Sequence, residues 1–236
     1  MLLMGVLALS ITAFTIPGYV KNPTVEGAWL LQNGSESQVL TFTDQYYTHT
    51  SYNESAKKFV QTTGGPFKLN KGELVFEVEF DTKFPELVGK KVKYPISQNG
   101  NDLTVDFEGK KSVFKRIDDG NAPLAGVWHI TSRMQDGKLV PIHRTGTRKT
   151  LKILTGKRFQ WVAIDPAKKE FSGTGGGTYS FNDGVYTENI EFFSRDSSRI
   201  GASLSFDGKL EDGNWHHSGL SSKGDKIYEV WSKVKE

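Results

Sequence analysis

Glu188 and His217 are the residues of this chain best placed to do chemistry. Glu188 alternates onto one strand face with Tyr186, Ile190 and Phe192, and His217 shares a face with Trp215. A carboxylate among apolar groups must find a partner or take up a proton, and its pKa rises if it stays unpaired. Facing one barrel lumen, the two would form a natural hydrogen-bonded pair, able to act as acid and base in a hydrolase or isomerase. The plainer expectation is that Glu188 pairs with an Arg or Lys at a barrel mouth. Phe159, Trp161, Tyr179, Tyr186 and Trp231 would supply aromatic walls around them. Together these seven residues are the candidate ligand-binding set, because small-molecule pockets combine aromatic walls with a few polar groups. Ordinary barrel cores have the same composition.

Other chemistries are poorly served. No Gly-x-Ser-x-Gly elbow and no paired-carboxylate spacing is present, so no catalytic set is assigned and an enzyme is a secondary reading. Gly175-Gly176-Gly177 is followed by a strand pattern, whereas a phosphate cradle needs a helix N-terminus. The chain has no cysteine, which removes disulfides, thiolate nucleophiles, thiolate metal sites and a lipoprotein anchor. Metal ligands would have to come from His143, His216, His217, Glu188 and Glu229. The adjacent histidines point to opposite faces of a strand and cannot both ligate one internal ion, so no metal site is expected; a haem or other porphyrin with His217 as axial ligand ranks lower still, and no cofactor is assigned. A net charge of +3 without a dense basic run argues against a nucleic-acid partner.

The elements that position these residues follow from an internal repeat. Phe59, Gly64, Gly65, Phe67, Asn70, Gly72, Val78 and Phe80 return 112 residues later as Phe171, Gly176, Gly177, Tyr179, Asn182, Gly184, Ile190 and Phe192. In that register Phe76 aligns with Glu188 and Val105 with His217. The tripeptides Gly27-Ala28-Trp29 and Gly126-Val127-Trp128 correspond at a spacing of 99, so the second copy holds 13 extra residues, read as a longer first hairpin over 133–144. Leu74, Phe76, Val78 and Phe80 alternate with mostly polar residues, the mark of a half-buried antiparallel strand. Turn pairs such as Asn33-Gly34, Asn99-Gly100, Asp183-Gly184, Asp207-Gly208 and Asp212-Gly213 punctuate the pattern. The expected fold is all-β, two meandering antiparallel barrels over 23–120 and 121–236, joined at Asp118 to Pro123. Residues 1–16 read as a signal peptide, an uncharged apolar run too short to span a bilayer and ended by Pro17 and Gly18. The mature protein is therefore expected outside the cytoplasm, periplasmic or extracellular, without a stable membrane span.

A Gly-x-Trp heading a meander of about eight strands resembles the lipocalin-like, or calycin, families. The second copy is similar to uncharacterised lipocalin-like domains of exported bacterial proteins through Gly173-Thr174-Gly175-Gly176-Gly177-Thr178-Tyr179, Tyr186-Thr187-Glu188-Asn189 and Glu229-Val230-Trp231. The resemblance implies closed barrels with a ligand-sized interior, and a basic residue on the last strand stacked on the early Trp. Arg116 suits that role in the first copy, and Lys233 is nearby in the second. A small apolar or amphipathic ligand in the second barrel is the leading expectation. The rival is an envelope interaction module with filled barrels, for which an exposed Tyr46, Tyr47 and Tyr52 would suit.

Overall fold

The computed structural model describes residues 24–142, 146–221 and 224–234. The expected signal peptide and His143 lie outside them. The first half folds as β1 (Gly27–Asn33), β2 (Glu36–Thr43), β3 (Tyr46–Asn53), β4 (Lys58–Asn70), β5 (Glu73–Glu77), β6 (Phe80–Asp81), β7 (Lys91–Asn99), β8 (Asp102–Phe107) and β9 (Lys110–Asp118). The second half folds as β10 (Gly126–Gln135), β11 (Lys138–Pro141), β12 (Lys149–Leu154), β13 (Arg158–Asp165), β14 (Glu170–Asn182), β15 (Val185–Phe193), β16 (Ser203–Glu211), β17 (Asn214–Leu220) and β18 (Lys226–Lys233). Each half is a closed eight-stranded antiparallel barrel, consistent with a calycin-like fold. Closure comes from pairing β1 with β9 and β3 with β4 in barrel 1, and β10 with β18 in barrel 2. A closed sheet leaves no unpaired edge. The short β6 hangs on β4, and β11 hangs on β10.

The repeat reflects matched geometry. A Cβ added at Gly65 would lie 1.8 Å from the Glu77 carbonyl oxygen, and one at Gly177 would lie 1.9 Å from that of Asn189, the equivalent residue. Gly64 and Gly176 likewise leave room for the rings of Phe80 and Phe192. These glycines let the long strands β4 and β14 approach their neighbours where the register shifts, between the β5 and β6 pairings of β4 and at Gly176/Gly177 of β14. Gly177→Ala is therefore expected to destabilise the protein by about 3 kcal/mol, read from urea unfolding. An unchanged midpoint would contradict the close approach.

The two tryptophans also match. Trp29 Nε1 donates to the Val25 carbonyl at 2.7 Å and Trp128 Nε1 to that of Leu124 at 2.8 Å, each plugging one end of its barrel. The Arg116 guanidinium stacks on the Trp29 ring at 3.9 Å, and Lys233 Nζ lies 5.4 Å from that of Trp128. Asp136 and Gly137, both at positive φ, turn the extra hairpin of the second copy. One expected turn is absent: Asp207-Gly208 lies inside β16, where Gly208 makes room for the ring of Phe181.

The barrels share a broad buried interface. Tyr46 and Phe80 pack with Val127, Leu151, Ile153, Val162 and Ile164, while Val39 and Tyr52 pack with Phe192. Arg158 Nη1 donates to Glu191 at 2.8 Å and Nη2 to the Tyr52 hydroxyl at 2.9 Å; that hydroxyl in turn donates to Glu191. Gln160 bridges Thr50, Thr62 and Thr174. The Asp118 carboxylate accepts from Thr155 Oγ1 at 2.7 Å and from the backbone N–H groups of Gly156 and Lys157. This corrects the expectation of a tyrosine-rich outer surface. Tyr46 and Tyr52 are buried between the barrels, and Tyr47 is buried inside barrel 1.

Candidate functional site

The interiors differ. Barrel 1 is filled by Trp29, Leu40, Phe42, Tyr47, Leu74, Phe76, Leu103, Val105 and Phe114, all buried in one cluster. Barrel 2 packs a similar layer at its closed end, from Leu124, Trp128, Leu154, Phe159, Tyr179, Tyr186 and Trp215. Beyond that layer lies a cavity of about 820 Å³. Its apolar wall includes Ile130, Trp161, Ile190, Phe193, Leu204 and Ile227.

Four of the seven residues expected from the sequence line this cavity: Trp161, Glu188, His217 and Trp231. The other three, Phe159, Tyr179 and Tyr186, belong to the closed-end layer instead. They share the inward strand faces but sit one step deeper. Tyr179 donates its hydroxyl to the Thr155 carbonyl at 2.7 Å. Phe192 leaves Glu188's inward face at the Gly176/Gly177 register shift and packs on Tyr52 of barrel 1.

Glu188 and His217 face the same cavity but do not form the expected pair. Glu188 Oε1 accepts from Lys152 Nζ at 2.9 Å and from the Tyr186 hydroxyl at 2.9 Å. Lys152 Nζ also lies 4.9 Å from the centroid of the Trp215 ring, 5.1 Å from Tyr186 and 5.3 Å from Trp231. Those π faces favour the ammonium, and the carboxylate balances its charge. His217 instead faces Glu229, with Nδ1 at a long 3.5 Å from Oε2. Its Nε2, although buried, has no hydrogen-bond partner among the described residues. Glu229 Oε2 accepts from Trp231 Nε1 at 3.0 Å.

Burial, reinforced by the Lys152 charge, lowers the His217 pKa against the opposing pull of Glu229 and Glu188. Burial would raise Glu229, but His217, Lys152 and Trp231 outweigh it and hold that carboxyl below its ordinary value. The site at neutral pH therefore contains a neutral imidazole beside an ionised carboxylate. A histidine whose folded pKa is depressed is less protonated in the native state than in the unfolded chain. Its contribution to stability is complete above about pH 6.5, the ordinary histidine value, and is lost as pH falls from there toward the folded pKa. His217→Phe is expected to flatten the fall in unfolding free energy between about pH 7 and pH 5. A slope equal to that of the unsubstituted protein would contradict a proton-excluding environment.

The internal repeat explains the polarity of the site. Strand register makes Leu40 the counterpart of Lys152, as Phe76 is of Glu188 and Val105 of His217. Three apolar positions of the filled barrel have become ionisable ones in the hollow barrel. Lys152 is the principal residue missed by reading the sequence, and the extended register would have found it. The 13 extra residues bear on the site as well. One edge of β10 pairs with β12 through Gly126–His129 and then with β11 through Ser132–Gln135. The inserted hairpin thus extends the wall past β12, and Arg133, Gln135, Val140 and Pro141 from it line the cavity mouth.

Residues 123–236, the length of barrel 2, match the model of a family described as a domain of unknown function (DUF4488). No curated protein matches the chain. Among the described residues, no group of three or more His, Asp or Glu is arranged to hold a metal ion.

Proposed function

We propose that this protein is an exported, lipocalin-like binding protein that holds one small amphipathic molecule in the lumen of barrel 2. Barrel 1 serves as a filled support docked against its outer wall. The observation that carries this reading is the contrast between two barrels of one plan, one packed and the other hollow with about 820 Å³ of space. Small-molecule pockets commonly have volumes of roughly 300–1,000 Å³. A dry apolar void would need no ions, whereas this one keeps Lys152, Glu188 and His217 on its wall. Groups of that kind fix the orientation of a ligand whose apolar body lies against Trp161, Ile190 and Leu204. Catalysis by a Glu188 and His217 couple is disfavoured, since Lys152 and Tyr186 hold the Glu188 carboxylate while His217 faces Glu229 instead.

The test is titration with N-phenyl-1-naphthylamine, a neutral fluorophore that brightens in apolar surroundings. Saturable binding of one probe per chain is expected. It should weaken by about tenfold or more when Lys152→Leu and Glu188→Phe together give barrel 2 the side chains of barrel 1. Absence of saturable binding, or equal binding by the variant, would overturn the proposal.

A further inference from the structure

We infer that the ligand of barrel 2 carries an anionic head, held at the cavity mouth by Arg133 and Arg148. This rests on the reading of barrel 2 as a binding lumen and adds the charge class of its occupant. Five cationic side chains line the cavity, against the two carboxylates of Glu188 and Glu229. Three of the five are already engaged. Lys152 is paired with Glu188 at 2.9 Å, Lys149 with Glu79 of barrel 1 at 2.6 Å, and Arg199 with Asp196 at 3.1 Å.

Arg133 and Arg148 remain, exposed at the rim and without a carboxylate partner among the described residues. The cross-strand partner of Arg133 in the β10–β18 ladder is Glu229. Its carboxylate is turned to Trp231 and His217 instead. The mouth therefore carries uncompensated positive charge above an apolar wall, and guanidinium groups bind carboxylates and phosphates with directed, paired hydrogen bonds. Arg133 stands on the part of β10 that pairs with the inserted hairpin, so the segment that extends the wall also places a charge at the opening.

The inference is tested with three twelve-carbon amphiphiles below their micellar concentrations, each displacing N-phenyl-1-naphthylamine at about pH 7. At that pH laurate is anionic, dodecanol neutral and dodecylamine cationic. Laurate should bind about tenfold more tightly than the other two, with a preference that shrinks as salt is added. Arg133→Gln with Arg148→Gln should remove the preference, bringing laurate to the affinity that dodecanol has for the same variant. Equal affinities in the unsubstituted protein would overturn the anionic head while leaving the binding lumen in place. A preference that survives in the double variant would overturn the role of these two arginines. Failure of the fluorophore and of all three amphiphiles to bind would overturn the underlying reading itself.

Discussion

Glu188→Leu is expected to lower the unfolding free energy by about 3 kcal/mol, because it leaves the Lys152 ammonium buried without its carboxylate. The side chains of Lys152 and Glu188 are only 8% and 7% exposed, so solvent screening relieves little of that cost. The cavity beside them keeps the loss toward the lower end of the range for broken buried pairs, about 3–5 kcal/mol. Lys152→Leu combined with Glu188→Phe should behave differently. Both charges disappear together, and the replacements are those that barrel 1 carries at Leu40 and Phe76 in a fully packed core. Stability should return to within about 1 kcal/mol of the unsubstituted protein or exceed it, while ligand binding is lost. Urea unfolding of the two variants measures this. A double variant as unstable as the single one would show that the ion pair itself holds barrel 2 together.

The second large effect lies between the barrels. Arg158→Leu should cost about 3 kcal/mol or more, since it leaves the Glu191 carboxylate in the interface without its cation, held only by the Tyr52 hydroxyl. Burial opposes the Arg158 charge, but Tyr52 and Glu191 outweigh it and raise the guanidinium pKa. The pair of barrels should unfold in a single transition before the substitution, because the clusters at Tyr46 and Tyr52 draw on both halves. After it, barrel 1 and barrel 2 should separate into two transitions by calorimetry. Two transitions in the unsubstituted protein would contradict the shared core.

Much of the architecture was legible in the sequence, for definite reasons. The glycine pairs of the repeat are fixed by backbone approaches that no side chain tolerates, so they persist where other positions have drifted. The alternation around Glu188 showed its inward face. Depth along the barrel was not legible, because a period of two separates inside from outside but not a closed end from a mouth. The pattern therefore groups Phe159 and Tyr186 with Trp161 and Glu188, which lie one layer away. The interface was hidden for a related reason. On β12, Leu151 and Ile153 face barrel 1 while Lys152 points into the lumen, so at mid-strand the apolar positions mark the outer face, and among them only Leu154, at the strand's end, faces inward. On β3 the outward Tyr46 and Tyr52 read as a polar surface until a second barrel covers them.

The most direct test of the central claim is denaturing extraction of the protein purified from its native host, followed by mass spectrometry of the small molecules released. The account predicts one amphipathic compound in near-stoichiometric amount, absent from the Lys152→Leu, Glu188→Phe protein prepared in the same way. Protein that is free of any such compound, and that gains none when incubated with host lipid extract, would contradict a binding lumen in barrel 2.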